Sequence, residues 1–265
     1  MIEPKYPAAV DRYVNLGRFY DIAAAKEARS DVIRHTREVS AAYQRAYQAL
    51  GAARQMADSS AALVLEGLDD GKLLRRTDGI IGRELRGKSA SGGRTDHRFL
   101  GSVTCMGPIW RFDTVEKLCP KVYQLCDTYG LAAPMLERLR SAAAARGFRT
   151  VVCPDPDHID RIHHLLLPDL GLAFVTSREG MAYSGPAYRK VRLDAMVAPA
   201  HYKRCKSRLR FSARVENALR EEALAALRDA KAAHDKLEAV YRHGVDFAGV
   251  DQCVQAELNR IEKYL

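Results

Sequence analysis

The sequence predicts an α/β fold in which a parallel sheet, built from a βαβαβ unit and accompanied by a β-hairpin, is flanked by long helical hairpins. Three observations lead to this fold class. Short apolar runs alternate with helical patterns between residues 122 and 176, which is typical of βαβ units. On either side of that region, apolar residues recur at spacings of three and four, as in amphipathic helices. A stretch rich in glycine and serine separates the first helical pattern from the strands.

The first helical hairpin is expected within residues 1–70, after an irregular start. Ser30 and Asp31 suit the N-cap of a helix, and residues 58–60 (Asp-Ser-Ser) predict a break before a second helix that ends near Leu68. The first helix has the alternating spacing that is typical of a coiled-coil seam. The predicted seam comprises Val32, Thr36, Val39, Tyr43, Ala46, Leu50, Ala53 and Ala57.

A basic flexible linker is expected at residues 71–94, because several glycines lead into the sequence SASGG at 89–93. This is the strongest domain boundary that the sequence offers. It separates the first hairpin from an α/β domain at residues 95–200, which is followed by a second helical hairpin at residues 201–265.

The α/β domain has its strand and helix patterns in a regular order. Cys105-Met106-Gly107 predicts the turn of a β-hairpin, and Gly147 suits the end of a helix. The predicted strands are residues 99–104, 108–112, 122–126, 150–153 and 172–176, and the predicted helices are residues 113–119, 133–146 and 158–166.

The second helical hairpin repeats the seam of the first. From Leu219 to Val240 the apolar residues again step by four and three, Gly244 and Gly249 break the helix, and a last helix follows. Each hairpin is preceded by a similar tripeptide, residues 4–6 (Pro-Lys-Tyr) and residues 186–188 (Pro-Ala-Tyr). The order of elements therefore indicates an internal duplication.

The composition excludes several classes of protein. No uninterrupted apolar run of about eighteen residues occurs, so no membrane-spanning segment is expected. The start lacks the basic-then-apolar pattern of a signal peptide. The six cysteines form no CxxC pair, which argues against a zinc ribbon and against a secreted disulfide framework. We therefore expect a cytoplasmic protein with reduced thiols and no structural metal.

The segment Val122–Leu136 has the strand–loop–helix layout of a phosphate-binding loop. A working loop needs glycines whose backbone N–H groups wrap the phosphates, a lysine for the β- and γ-phosphate charge, and a serine or threonine for magnesium. The segment lacks the lysine and the hydroxyl at the start of its helix, where Ala133 and Pro134 stand.

The chain resembles a family of uncharacterised bacterial ATPase-like proteins that carry two P-loop domains in tandem, each followed by a helical insertion. The resemblance covers most of the chain in order and spacing. It is carried by residues 4–11, 15–19, 97–100, 146–148, 153–157 and 167–173.

The resemblance implies that the Walker A motif falls on residues 127–135. Gly130 then matches a glycine, whereas Asp127 and Ala132 replace glycines, and the lysine and hydroxyl positions are Ala133 and Pro134. A carboxylate in a phosphate cradle repels the anion that the cradle would bind. We therefore expect no hydrolysis of ATP and no bound cofactor. The remaining phosphate-loop positions are Asp127, Thr128 and Gly130. ATP with magnesium is expected only if the loop still binds a nucleotide.

The same resemblance implies that the chain opens where the family's first P-loop domain is ending. Two interpretations stay open. The protein is a natural short form, or it is a fragment of an ATPase whose first nucleotide site lies upstream.

Residues 153–158 (Cys-Pro-Asp-Pro-Asp-His), with His163 and His164, form the densest polar cluster of the sequence. Such side chains can bind zinc or act as acid and base. The prolines favour a turn in which Asp157 is the N-cap of a helix. Trp110 and Phe112, on either side of Arg111, are expected to pack in the core, with base stacking as the alternative.

A basic run near the start of the second hairpin is the best candidate for binding a polyanion. It consists of Lys203, Arg204, Lys206, Arg208 and Arg210, in a chain with a net charge of +9. The alternative is a solvated loop and helix start.

Three functions remain open from the sequence. The first is a P-loop-like protein that has lost hydrolysis and acts in structure or protein interaction, through a partner or self-association of its helical hairpins. The second is an ATP-binding protein or a fragment of an ATPase. The third is a protein that associates with nucleic acid, or with an acidic partner, through its basic runs.

Overall fold

The computed structural model describes residues 12–87 and 92–264. The chain forms two compact units. One consists of the described residues up to Gln44 together with those from Asp229 onward, and the other is Arg45–Arg228. Residues 4–11, on which part of the family resemblance and of the internal duplication rests, lie outside the described residues. In the described part of the chain, no helix has both the length and the apolar character needed to cross a bilayer.

The larger unit contains a six-stranded sheet in the order β1-β5-β6-β7-β4-β8. The prediction of an α/β fold is confirmed, but the sheet is only mostly parallel, because β6 runs antiparallel to both of its neighbours. The strands are β1 (Thr95–His97), β4 (Lys121–Cys126), β5 (Thr150–Asp155), β6 (His158–Leu167), β7 (Leu172–Ser177) and β8 (Arg189–Arg192). A separate hairpin, β2 (Gly101–Thr104) with β3 (Gly107–Trp110), turns where it was predicted to turn.

The prediction of a helix at residues 158–166 is wrong, because this segment is strand β6. Its apolar residues are spaced as on a helix, but a tight turn returns the chain directly alongside β5, so that Asp155 faces His158. The ladder with β5 on one side and β7 on the other outweighs the local pattern. The sheet is therefore not a plain βαβαβ unit, since β5 and β6 form an antiparallel pair.

The helices are long at both ends of the chain. They are α1 (Ile22–Glu27), α2 (Arg29–Leu65), α3 (Asp70–Glu84), α4 (Phe112–Leu118), α5 (Ala133–Ala145), α6 (Pro199–Arg242) and α7 (Phe247–Ile261).

Helix α2 continues through residues 58–60, so the break predicted there is wrong. The Ser60 hydroxyl donates to the Met56 carbonyl one turn earlier, which accommodates the serine inside the helix. The buried positions of α2 also differ from the predicted seam: Tyr43 is 40% exposed. The buried side chains are His35, Ala42, Ala46, Ala49, Ala53 and Val64.

Helix α3 occupies much of the segment for which a flexible linker was predicted, so that prediction is wrong for residues 71–84. Asp69 caps the helix by accepting a hydrogen bond from the Lys72 N–H. Leu73, Thr77 and Ile80 are buried on one face, which offsets the low helix propensity of the three glycines of this helix.

The sheet is buried on both faces, as expected where most strands are parallel. Alternate residues of β4 illustrate this: Val122 packs in one cluster with Val115 of α4, whereas Tyr123 and Leu125 pack in the other with α3 and α5. The loop between β4 and α5 is part of the second cluster through Leu131. This packing holds the predicted phosphate-loop segment at the carboxyl end of β4, the strand between β7 and the edge strand β8.

Candidate functional site

The segment predicted to resemble a phosphate loop does connect the end of a parallel strand to the start of a helix. Strand β4 ends at Cys126, and α5 begins at Ala133 with Pro134 in its first turn. Gly130 has a φ of +78°, a conformation that glycine adopts without strain. The sequence therefore placed this loop correctly between its strand and its helix.

The Asp127 carboxylate is bound by the backbone of its own loop. Its two oxygens accept hydrogen bonds from the N–H groups of Leu131 and Ala132, both at 2.8 Å. These are the groups that the helix start would otherwise offer to an anion. The side chain is only 5% exposed. Burial raises the pKa of Asp127, an effect that the two backbone N–H groups oppose in part and that the negative charge of Asp194 increases.

A second carboxylate accepts hydrogen bonds from Thr128. Asp194, which follows strand β8, accepts from the Thr128 N–H at 3.1 Å and from the Thr128 hydroxyl at 2.7 Å. The sequence did not identify Asp194 as part of this site. No local signal marks it, because its partner lies far away in the sequence and meets it only when β8 pairs with β4.

Two carboxylates, Asp127 within the loop and Asp194 after β8, thus bind the loop between β4 and α5. The N–H groups of Thr128, Leu131 and Ala132 all have carboxylate acceptors. At the start of α5, the side chains of Ala133 and Pro134 are apolar and supply neither a cation nor a hydroxyl. The arrangement can stabilise the helix start electrostatically, and it contributes negative charge rather than positive charge at this edge of the sheet.

The polar cluster at residues 153–158 comprises the end of β5, a turn at residues 156–157 and the first residue of β6, so the prediction that Asp157 caps a helix is wrong. Arg220 of α6 donates to the Asp157 carboxylate at 2.7 Å, and Arg54 of α2 donates to the Asp157 carbonyl at 3.2 Å. His158 lies 2.8 Å from Asp58 of α2. These contacts tie both long helices to the turn.

This cluster does not provide a metal site within the described residues. The group with suitable ligand spacing there lies elsewhere, on exposed α6 positions: His234, Asp235 and Glu238. Asp235 is already paired with Lys231.

The basic run predicted as a polyanion site lies near the beginning of α6. All five cations, Lys203, Arg204, Lys206, Arg208 and Arg210, are exposed, whereas Leu209 among them is buried. Within the described part of the chain, none of the five forms an ion pair. The aromatic side chains Tyr202 and Phe211 flank the run and are 37% and 57% exposed.

Comparison with known proteins identified no relative of this chain. The chain matches no family model, no curated protein and no solved structure.

Proposed function

We propose that this chain is a P-loop NTPase-like protein of the tandem ATPase-like type that has lost nucleotide hydrolysis and acts in protein interaction. One observation carries the proposal: the Asp127 carboxylate accepts the hydrogen bonds of the Leu131 and Ala132 N–H groups, which a phosphate would otherwise need. A triphosphate would have to displace this carboxylate and would then meet its negative charge together with that of Asp194.

The missing side chains support the same conclusion. Phosphoryl transfer depends on positioned cations that neutralise the charge of the transition state. Ala133 and Pro134 supply neither a lysine nor a magnesium ligand at the helix start.

Calorimetry with MgATP tests this proposal. We expect no binding heat at about 1 mM nucleotide, a concentration that would reveal any site of millimolar affinity. The matched variant is Asp127→Gly, which frees both N–H groups and should bind inorganic phosphate more tightly than the unaltered chain. Phosphate release from ATP that disappears in a Gly130→Ala or Asp127→Gly variant would overturn the proposal.

The interaction role is supported by helix α7. It has no buried side chain among its described residues. Phe247, Val254, Leu258 and Ile261 are all about half-exposed, and their spacings of seven, four and three are those of a coiled-coil seam. Because such a seam is complementary to a second copy of itself, we place self-association on this face.

A second candidate function is binding of nucleic acid through the start of α6. The five cations are exposed, form no ion pair with any residue that the structure describes, and are flanked by exposed aromatic rings. Single-stranded nucleic acids bind such a surface, since phosphates contact the cations and bases stack on the rings.

The salt dependence of oligonucleotide binding tests this candidate. Fluorescence anisotropy with a labelled single strand should show an affinity that falls steeply with salt, and changing Lys203, Arg204 and Lys206 to glutamine should reduce the slope. The control changes three exposed lysines elsewhere, Lys26, Lys117 and Lys263. Equal losses in the two triple variants would contradict a specific surface.

A further inference from the structure

Two adjacent histidines of β6 lie on the same side of the sheet. The register of β6 against β5 shifts between Cys153, which faces His164, and Pro154, which faces Ile162, so His163 has no partner across the ladder. Adjacent strand residues normally point to opposite faces, but the extra residue of a bulge turns the pair together. The two imidazoles are stacked, with centroids 4.4 Å apart and planes inclined by 29°.

The rings of Trp110 and Phe112 lie close to these histidines. The Trp110 centroid lies 5.8 Å from His163 and 6.0 Å from His164, in both cases edge to face. Phe112 contacts His164 at 5.8 Å. In the described part of the chain, three buried nitrogens have no hydrogen-bond partner, and all three belong to this cluster: Trp110 Nε1, His163 Nδ1 and His164 Nε2. Buried polar atoms are seldom left in this state, so they point to a ligand.

The hydrogen-bond chemistry identifies two of these atoms as donors. The backbone N–H of Thr176 donates to His164 Nδ1 at 3.1 Å, so Nδ1 carries no proton. A neutral His164 then carries its proton on Nε2, and the ring is neutral because burial lowers its pKa well below the usual value. Trp110 Nε1 can only donate. A metal ion is excluded at His164 Nε2, since binding it would leave the ring without a proton.

A cation lies beside the same cluster. Arg178 directly follows β7, is half-buried, and forms no ion pair within the described residues. Burial lowers the pKa of His163 to about 4; the Asp155 carboxylate opposes this shift, the Arg178 guanidinium adds to it, and Asp157 opposes it. Asp157 is itself paired with Arg220. The cluster sits towards the carboxyl ends of β5 and β7, the edge at which α/β sheets bind ligands.

We propose that Trp110, His163, His164 and Arg178 form a binding site for a small carboxylate. The carboxylate oxygens accept from Trp110 Nε1 and His164 Nε2, and a neutral His163 with its proton on Nδ1 supplies a third donor. A carboxylate can accept all three hydrogen bonds because it has about four lone-pair positions and needs no acceptor in return. Arg178 balances its charge.

The single tryptophan of the chain gives a selective measurement. In a ¹H–¹⁵N spectrum of the full-length protein, the one indole N–H signal should shift saturably with sodium acetate, with half-saturation at about 10 mM or below. Sodium chloride at equal ionic strength and acetamide should leave it in place. The absence of a saturable shift with acetate, or an equal shift with acetamide or chloride, would overturn the proposal.

Variants separate the roles of charge and donor. Arg178→Gln should weaken acetate binding about tenfold, as expected for the loss of a charge-assisted contact. His164→Phe keeps a ring in the cluster but removes the donor, and should abolish the saturable shift. The control, His97→Gln, changes an exposed histidine and should bind like the unaltered chain. Unchanged affinity in both Arg178→Gln and His164→Phe would show that acetate binds elsewhere. The indole signal itself reports whether each variant keeps the fold around Trp110.

Discussion

Asp194 binds Thr128 through both of its carboxylate oxygens, one on the backbone N–H and one on the hydroxyl. This pair joins the loop after β4 to the segment after β8, and it is the second of two carboxylates that bind the loop.

Replacing Asp194 with alanine should lower the free energy of unfolding by about 1 kcal/mol, because water can replace its hydrogen bonds to the exposed Thr128. Urea denaturation followed by circular dichroism measures the change. A decrease in the free energy of unfolding as large as that expected for the buried Asp127 would contradict the interpretation that the contact between Asp194 and Thr128 is solvent-accessible.

Replacing Asp127 with alanine should cost more, about 3 kcal/mol, because two buried N–H groups lose their acceptor. The control is Asp78→Ala, which removes an exposed ion pair with Arg138 and should change the free energy of unfolding far less, because solvent screens such pairs. Phosphate should restore part of the stability of Asp127→Gly. Equal stability of the Asp127→Ala and Asp78→Ala variants would show that the carboxylate does not hold the loop.

The histidine pair predicts that stability falls in mild acid. The pKa of His163 is lowered from 6.5 to about 4, so between these values the unfolded chain binds a proton that the folded chain does not. The contribution of His163 is therefore complete above pH 6.5 and declines by about 3 kcal/mol as the pH falls to 4. His164 acts in the same direction. Urea titrations between pH 4 and pH 7 should show a smaller decline in His163→Phe than in His97→Gln.

The contact of Gly101 with Trp110 predicts a packing defect. A Cβ atom at Gly101 would lie 2.1 Å from Trp110 Cε3 and 2.6 Å from the Ile109 carbonyl oxygen. Gly101→Ala should therefore displace the indole, shift its fluorescence to longer wavelength, and cost about 2 kcal/mol of stability. Gly107→Ala, beside the turn of the same hairpin, is strained by its φ of +108°, but its Cβ would meet no neighbouring atom, so the indole emission should be unchanged. Identical emission in all three proteins would contradict this close approach.

The exposed seam of α7 predicts self-association. Sedimentation equilibrium should give a mass above that of one 29.5 kDa chain, and Leu258→Lys should return it to the single-chain mass. Gln252→Lys, at an exposed position on the opposite face of α7, is the control. A single-chain mass for the unaltered protein would contradict self-association through α7. The exposed face would then have to bind a different protein.

The sequence predicted those elements whose local pattern and packing agree. Strands β4, β5 and β7 lie within two residues of their predicted bounds, since short apolar runs between turns have no competing interpretation. The prediction for residues 158–166 was wrong because the apolar spacing there is helical. The spacing does not reveal that a turn pairs this segment with β5.

The loop after β4 was predicted only in part. Its position and the repulsive charge of Asp127 follow from the sequence, but the hydrogen bonds of that carboxylate to Leu131 and Ala132 do not. Asp194 and the stacked histidines depend on pairing between strands, which no pattern within one segment encodes.

The tight turn between β5 and β6 has a consequence for the order of folding. Pairing Asp155 with His158 closes a very short loop, whereas pairing Lys121 with Leu172 requires the intervening helix and hairpin to be brought in first. Closing a short loop loses little chain entropy, so the β5–β6 ribbon is expected to assemble before the parallel ladders. The antiparallel strand β6 would then be the template with which β7 pairs, and β4 would pair with β7 afterwards.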